Sequence, residues 1–461
     1  MRKATKLYVL MGVFVVVCIA AFAVSRYEEK KEQIRNSGDV ILEVDAESVM
    51  ALSWTNEDGT YSFTKSDTWL YDNDENFPVD ESKINDMLSQ FATFTATFTI
   101  EAVDDYSQYG LDEPVCTISI TIGETSHTIE LGDFSKMDEQ RYISIGDGNA
   151  YLVEHDPLEE YDAVLRDMIL DDDIPDFYQV DQIEFIGSEN YTIVRDEEAK
   201  SICNDDIYFT DSKPLDTDNV ESYVDVIRML DISTYASYNV SETELEEYGL
   251  VEPELTINIG HSDDEGTAES LTLYVSRNPD EAAEYDKAVE DGEETLPDVS
   301  CYARVGESQI VYEISQSSYD SLVDASFDKL RHQKIYTTDF TTVTSVEVSL
   351  EGKEYTFTLS ENDSEESVWL YGEEEIDINS LSSSVQALSA DGFISENSSD
   401  EKEISLVIHL DNEDFPTYSL SLYRYDGTNC IAVVDGNPIA YVPRSQTVDL
   451  IEAVNEIVLG S

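Results

Sequence analysis

The side chains in this sequence that are best suited to chemistry are five histidines and a large number of carboxylates. The histidines form no HExxH motif and no other spacing that would place two metal ligands on one helix face. The chain also lacks a G-x-S-x-G nucleophile motif, a phosphate-binding Walker loop and a Rossmann glycine set. The sequence therefore predicts no catalytic, cofactor-binding or metal-binding residue. The histidines considered are His127, His155, His261, His332 and His409.

The carboxylates carry little positional information because they are so numerous. The chain has 100 acidic and 26 basic residues, so two neighbouring acids are no evidence for a glycosidase pair. One segment, Asp72-x-Asp74-x-Asn76, begins like an EF-hand calcium loop. Phe77 stands at the sixth position, where the loop needs glycine, and Lys83 stands at the twelfth, where it needs glutamate. An EF-hand is therefore excluded.

Two acidic runs leave a weaker form of cation binding open. Residues 171–173 and 263–265 could hold a divalent cation loosely, although a solvated acidic loop is the default interpretation. The net charge of −74 repels phosphate backbones, so nucleic-acid binding is excluded. Such a charge is also typical of a protein kept soluble by its surface.

The elements that would position a site recur along the chain. Residues 77–94, 213–230 and 374–391 each contain an Asp that is preceded by one apolar residue and followed four positions later by another. This spacing predicts a helix with an N-cap Asp and a hydrophobic staple. Asp80, Asp216 and Asp377 are the predicted caps. The apolar stripe behind them predicts the core positions Leu88, Phe91, Val224, Ile227, Val385 and Leu388.

A hexapeptide follows the first two of these helices, as YGLDEP at 109–114 and YGLVEP at 248–253. Gly110 and Gly249 can adopt positive φ, and the proline that follows prevents a continuing helix. A catalytic role for Glu113 or Glu252 is conceivable, but a structural turn fits the glycine and proline better. The third segment has no such hexapeptide.

These elements predict an α+β fold. The predicted architecture is three tandem repeats of a mostly antiparallel sheet with two helices each, behind one N-terminal transmembrane helix. The predicted divisions are 1–38 for the N-tail, anchor and stalk, 39–170 for the first repeat domain, 171–333 for the second and 334–461 for a divergent third. The acidic insertion 278–298 is predicted to be a loop.

Residues 7–24 carry no charge and are just long enough to span a bilayer. Basic residues precede them, which predicts a single-pass anchor in the cell membrane with the bulk of the chain extracytoplasmic. Basic residues on the far side weaken this orientation. Two alternatives stay open: cleavage of a signal peptide after the Ala-Phe-Ala at 21–23, and lipidation at Cys18, where Val17 replaces the usual small residue.

The other cysteines are scattered, with no CxxC spacing. Cys301 and Cys430 occupy equivalent places in their segments. This equivalence predicts buried strand residues rather than a disulfide between them.

Several of these features together resemble the domain-of-unknown-function-4340 family of bacterial proteins. They are the stapled helix, the Trp69-Leu70-Tyr71 strand, the YGLDEP connector and the GDGNAYLV hairpin at 146–153, on a membrane anchor. The resemblance implies an extracytoplasmic accessory of a membrane transport assembly, because members are often encoded beside ABC-type transport permeases. It transfers no functional residue to this chain.

The sequence thus favours a membrane-anchored, extracytoplasmic, non-enzymatic module that serves an ABC-type transport or cell-envelope assembly. Its expected partners are the membrane, through one N-terminal helix, and transporter subunits, with weak divalent cation binding open and no cofactor. Two alternatives remain. One is a cell-surface binding protein for carbohydrate, peptide or a divalent cation, and the other is a hydrolase whose site the motifs do not reveal.

Overall fold

The computed structural model describes residues 38–361, 366–396 and 399–460. They fold as two compact units, the first ending at Asp172 and the second beginning at Asp173. In both units the strands alternate buried and exposed side chains, as expected for sheets with one face on a core.

The first unit contains an eight-stranded antiparallel sheet in the order β4-β3-β2-β7-β8-β9-β10-β6 and a two-stranded sheet of β1 and β5. Helix α1 is Glu81–Ser89 and α2 is Leu158–Tyr161. The strands are β1 Asp39–Leu42, β2 Val49–Thr55, β3 Thr60–Lys65, β4 Trp69–Tyr71, β5 Phe94–Ala96, β6 Phe98–Ile100, β7 Cys116–Ile122, β8 Thr125–Ser135, β9 Gln140–Ser144 and β10 Ala150–Val153.

The second unit contains two nine-stranded antiparallel sheets. The first has the order β14-β13-β12-β11-β16-β17-β18-β19-β15. Its strands are β11 Gln179–Ile186, β12 Tyr191–Arg195, β13 Tyr208–Thr210, β14 Lys213–Pro214, β15 Tyr235–Ser237, β16 Leu255–Ser262, β17 Ala268–Arg277, β18 Cys301–Val305 and β19 Val311–Ile314. The accompanying helices are α3 Thr217–Arg228, α4 Glu242–Glu247, α5 Pro279–Asp291, α6 Gln316–Val323 and α7 Phe327–Leu330.

The other nine-stranded sheet has the order β23-β22-β21-β20-β25-β26-β27-β28-β24. Helices α8, Asn379–Ala387, and α9, Arg444–Gly460, contribute to its core. Its strands are β20 Val343–Leu350, β21 Lys353–Glu361, β22 Ser367–Tyr371, β23 Glu374–Ile376, β24 Gly392–Phe393, β25 Lys402–Leu410, β26 Thr417–Arg424, β27 Asn429–Val434 and β28 Asn437–Pro443.

The predicted fold class is wrong. The described residues form four antiparallel sheets rather than three, because part of the Thr-rich segment after α1 becomes β5 and pairs with β1 as a separate sheet. The helices are also not distributed as two for each large sheet, since five accompany the first nine-stranded sheet. No described helix has the length and apolar character needed to cross a membrane. The predicted anchor at 7–24 lies outside the described residues.

The acidic insertion is also not the predicted loop. Its first part is helix α5, which begins where the Asn278 side chain accepts hydrogen bonds from the backbone N–H groups of Asp280 and Glu281. Pro279 occupies the first turn, where a missing N–H costs nothing. Ala282 and Ala288 are buried and fix the helix to the unit. The Asn-Pro start and the alanine spacing were signals for this helix that the charge of the segment obscured.

The predicted stripe of core residues is confirmed. All six side chains are at most 4% exposed. The cap prediction is confirmed for Asp80 and Asp216, whose carboxylates accept hydrogen bonds from the first-turn N–H groups. At the third helix the N-cap is Ile378, one residue later than predicted, but the Asp377 carboxylate still accepts a hydrogen bond from the Asn379 N–H at 2.9 Å. Cys301 and Cys430 are buried, free thiols on strands, as predicted.

Candidate functional site

A groove with polar and apolar walls lies beside helix α4 in the second unit. Its volume is about 980 Å³. Helix α4, the YGLVEP connector, and neighbouring positions on β17, β18 and α5 form its walls. The residues that line it are Glu242, Leu245, Glu246, Gly249, Leu250, Val251, Glu252, Pro253, Tyr274, Pro279, Arg304 and Glu307.

The start of helix α4 is fixed by a capping box. The Ser241 Oγ accepts a hydrogen bond from the Glu244 N–H at 3.3 Å, and the Glu244 carboxylate accepts one from the Ser241 N–H at 2.8 Å. These bonds satisfy backbone donors that the first turn leaves without helical partners. Hydrogen bonds from the Ser241 hydroxyl and N–H lower the pKa of Glu244. The six-residue helix therefore begins at a defined position.

The end of α4 is a Schellman motif built on the connector glycine. Gly249 has φ of +70°, and its N–H donates to the Glu246 carbonyl at 3.1 Å. The Leu250 N–H donates to the Leu245 carbonyl at 2.8 Å. This pattern brings the two leucines together, as is usual for the motif. A Cβ at Gly249 would lie 2.7 Å from the Arg277 carbonyl oxygen, so glycine is also required by space.

The base of the groove is an apolar cluster separate from the main core. Leu250 is buried with Val240 and Val311, and Leu245, Tyr248 and Tyr274 pack against them. Val251 protrudes beside this cluster with 61% of its surface exposed. The groove therefore offers apolar surface that the described residues leave open to solvent.

The rim of the groove is acidic. The glutamates at 242, 246, 252 and 307 are all exposed and line it. Arg304 is the single basic residue among the described lining residues. Its Nε donates to the Ser308 carbonyl at 2.6 Å, and its Nη2 lies 3.9 Å from the Glu307 carboxylate. The groove thus combines apolar contact area with excess negative charge, which suits a cationic ligand with an apolar stem.

A second group of reactive side chains lies elsewhere in the same unit. The Nε2 of His332 lies 2.7 Å from the Oδ1 of Asp206, and its Nδ1 lies 3.3 Å from the Oδ2 of Asp216. The ligand atoms of Cys203, Asp206 and His332 all lie within 4.8 Å of one another. Burial lowers the pKa of His332, but its hydrogen bonds and charge interactions with the two aspartates outweigh this, and the net pKa is raised. Burial raises the pKa of the Cys203 thiol.

The other residues weighed from the sequence lie apart from both places. His409 pairs with Glu347 at 3.1 Å on neighbouring strands. His261 is buried and packs edge-to-face against Phe177, with the two ring centroids 4.9 Å apart. Asp263 closes its own turn by accepting from the Glu265 and Thr267 N–H groups, which lowers its pKa.

The sequence motifs included one wall of the groove, the YGLVEP connector. They predicted neither the groove itself nor the group around His332. Glu252, weighed as a conceivable catalytic residue, is on the groove rim, whereas Glu113 is exposed in the first unit. The His332 group was missed because Asp206 and His332 are 126 positions apart in the chain. The Asp216 cap was the one local signal near it, because the same carboxylate faces His332.

Comparison with known proteins identifies a family. The family model described as "Domain of unknown function (DUF4340)" matches residues 69–202 and 210–407. No curated protein and no solved structure matches the chain. The matched ranges cover most of the chain, including the capped helices, both connectors and the groove. The chain therefore belongs to the DUF4340 family.

Proposed function

We propose that this chain is a non-enzymatic binding module, and that the groove beside α4 holds a partner segment that carries lysine or arginine next to apolar residues. The observation that carries the proposal is the pairing of an apolar base with four rim glutamates against one engaged arginine. A lysine or arginine side chain can place its aliphatic stem on Leu245 and Val251 while its charged end reaches a glutamate.

The geometry of the groove supports recognition more than turnover. Both ends of α4 are fixed by hydrogen bonds, so this wall of the groove is ordered before a ligand arrives. The surrounding charge of −74 adds long-range attraction for a cationic partner and increases its association rate. Catalysis would need a nucleophile or a base aimed into the groove. The rim instead supplies exposed glutamates.

The partner class that we propose is a basic segment of an ABC-type transport or cell-envelope assembly. Family resemblance suggests the assembly, and the groove chemistry adds the kind of segment. A segment of such an assembly that carries lysine or arginine beside apolar residues has the required chemistry.

The first test is a titration of the full chain, in a mild detergent, with a labelled peptide of alternating lysine and leucine. We expect saturable binding that weakens as sodium chloride is raised, because exposed ion pairs are screened. A peptide of alternating glutamate and leucine should not bind. Changing Glu246→Gln and Glu252→Gln together should weaken binding about two- to thirtyfold, since each exposed pair contributes about 0.2–1 kcal/mol.

The matched control is Glu265→Gln with Glu269→Gln, which removes the same charge from exposed positions outside the groove. If both double variants weaken binding equally, the peptide responds to net charge alone. The assignment of its binding site to the groove would then be wrong. In native membranes, a transport subunit recovered with the unmodified chain should be lost with the groove variant and kept with the control. Saturable hydrolysis that one carboxylate substitution abolishes in a folded chain would overturn the non-enzymatic proposal.

A further inference from the structure

The group around His332 has the composition and arrangement of a metal centre. We propose that Cys203, Asp206 and His332 bind one Zn²⁺ ion, with water as the fourth ligand. Thiolate, imidazole and carboxylate are the three protein ligand types that zinc accepts. The proposal is independent of the groove, because none of these residues lines it.

The spacing of the ligand atoms supports one shared ion. Zn–S and Zn–N bonds of about 2.3 and 2.1 Å at tetrahedral angles put ligand atoms roughly 3.3–3.7 Å apart. Here the three ligand atoms lie within 4.8 Å of one another. The 2.7 Å contact between His332 and Asp206 is a hydrogen bond that must open slightly to admit the ion. Small side-chain rotations therefore suffice, without refolding of the loop.

The surroundings of the ligands are those of a zinc site. Metal-bound histidines almost always hold a carboxylate or carbonyl on the second ring nitrogen, which fixes the tautomer. Asp216 supplies that carboxylate at 3.3 Å from Nδ1. Ser201 donates a hydrogen bond of 2.6 Å from its Oγ to the Asp206 Oδ2, which orients the ligating carboxylate. Two ligands thus already have the outer partners that a metal requires.

The charge of the group also favours a divalent cation. The Asp206 side chain is 1% exposed, and a buried carboxylate is costly unless it is paired with a cation. The His332 ring faces two carboxylates, Asp206 and Asp216, so negative charge is in excess in either protonation state of the ring. On binding, the Cys203 thiol gives up its proton to solvent to form the thiolate ligand, and no oxidation occurs.

The location indicates what the ion would do. The loop that carries Cys203 packs Ile202 against the core of the last nine-stranded sheet. The segment that carries His332 is bonded to the start of α3 through the Asp216 N–H and the Leu330 carbonyl at 3.0 Å. One ion would therefore join this loop to the chain that leads from one nine-stranded sheet to the next within the second unit, and its water ligand would leave one coordination position open.

The experiment titrates the full chain with Zn²⁺ while excess Ca²⁺ occupies the many surface carboxylates. We expect one tight Zn²⁺ per chain, release of protons, and a higher Tm for the second unit. Co²⁺ in place of Zn²⁺ should give the intense tetrahedral visible bands and the thiolate-to-cobalt charge-transfer band in the near ultraviolet.

Matched variants identify the ligands. Cys203→Ser and His332→Gln should each abolish the tight site, whereas Cys430→Ser and His409→Gln, which remove a thiol and a carboxylate-paired imidazole elsewhere, should keep it. Asp216→Asn keeps an N-cap residue but removes the outer carboxylate, so affinity should fall about 10–100-fold with an altered pH profile. If a ligand variant fails to fold, the Co²⁺ spectrum of the unmodified chain decides.

Absence of a stoichiometric site, or a Co²⁺ complex without the thiolate band, would overturn the proposal. The same holds if Cys203→Ser and His332→Gln bind Zn²⁺ as tightly as their controls. In those cases the group is a histidine ring held between two carboxylates. Peptide binding in the groove would be unaffected, so failure of the zinc site is distinguishable from failure of the proposed function.

Discussion

The connectors of the first and second large sheets have the same backbone turn. Different side-chain hydrogen bonds hold the strand that follows each connector. Gly110 and Gly249 have φ of +68° and +70°. After the second connector, Glu254 accepts hydrogen bonds from the Arg277 guanidinium at 2.7 Å and from the Tyr319 hydroxyl at 2.6 Å. The charge pair therefore ties the start of one strand to the end of its neighbour and to helix α6.

In the first sheet the corresponding place holds Val115, which is 44% exposed. The arginine comes from another strand: Arg141 donates to the Asp156 carboxylate at 2.5 Å and to the Gly132 carbonyl at 2.6 Å. Gly132 also approaches the first connector so closely that a Cβ there would lie 2.2 Å from the Tyr109 carbonyl oxygen. The difference teaches that the turn is kept by local backbone chemistry, whereas the tie beside it can be built in more than one way.

The tyrosine hydrogen bond that links two helices also differs between the units. In the first unit Tyr161, on the short α2, donates its hydroxyl proton to the Met87 carbonyl of α1 at 3.0 Å. In the second unit Tyr223, on α3, donates to the Leu322 carbonyl of α6 at 2.7 Å. The donor has moved to the opposite helix. Either direction satisfies a carbonyl in the last turn of a helix, which lacks a helical partner there.

The largest expected effect is a difference in stability loss between substitutions at equivalent core positions of the two units. Phe91→Ala should reduce the stability of the first unit by about 3–5 kcal/mol, because a fully buried ring with two aromatic neighbours leaves a cavity. The corresponding Ile227→Val in the second unit should cost about 0.5–1.5 kcal/mol. Hydrogen exchange read by mass spectrometry reports each unit separately. A loss below about 1 kcal/mol for Phe91→Ala would show that the cavity collapses.

The close approach at the first connector gives the next effect. Gly132→Ala should destabilise the first unit by about 1–3 kcal/mol, since a backbone carbonyl cannot move aside as a flexible side chain can. Gly260→Ala in β16 is the control, because its Cβ would find ordinary van der Waals space, 3.7 Å from Gln182. Equal effects of the two substitutions on the denaturant midpoint would refute this account.

The two tyrosine hydrogen bonds between helices should contribute equally to stability, although their donors lie on opposite helices. Tyr161→Phe and Tyr223→Phe each remove one hydroxyl from a buried carbonyl, and each should cost about 1 kcal/mol in its own unit. The measurement is the midpoint shift in urea for each unit. A neutral result in one unit alone would mean that its carbonyl finds another donor.

The smallest effect concerns acid. Burial raises the pKa of Glu254, but hydrogen bonds from Arg277 and Tyr319 outweigh it and hold the pKa below the usual 4.5. The unfolded chain therefore takes up the proton first as pH falls, so this contribution is present above about pH 4.5 and is lost as pH falls through the folded-state pKa. The side chain is 35% exposed, so the contribution is at most about 1 kcal/mol.

Glu254→Gln should consequently flatten the acid side of the stability curve of the second unit. The measurement is the urea midpoint of the second unit between about pH 5 and pH 3. If the urea midpoint of Glu254→Gln changes with pH in parallel with that of the unmodified chain, the Glu254–Arg277 pair does not contribute to the acid dependence of stability.

The sequence by itself determined the features that depend on a few neighbouring residues. The N-caps at Asp80 and Asp216, the apolar stripes behind them and the positive φ of the connector glycines all follow from local backbone and side-chain chemistry. Helix α5 was a local feature too, but its acidic composition masked the Asn-Pro cap and the buried alanines.

Only the tertiary structure decided the number of sheets and the two candidate sites. Whether β5 joins a large sheet or pairs with β1 depends on a partner about 55 residues away, and pairing of that range has no local signature. The groove needs a connector, two strands and two helices to meet, and Asp206 and His332 of the proposed zinc site meet across 126 positions. Ligand chemistry depends on distances in space, which a chain read in order does not contain.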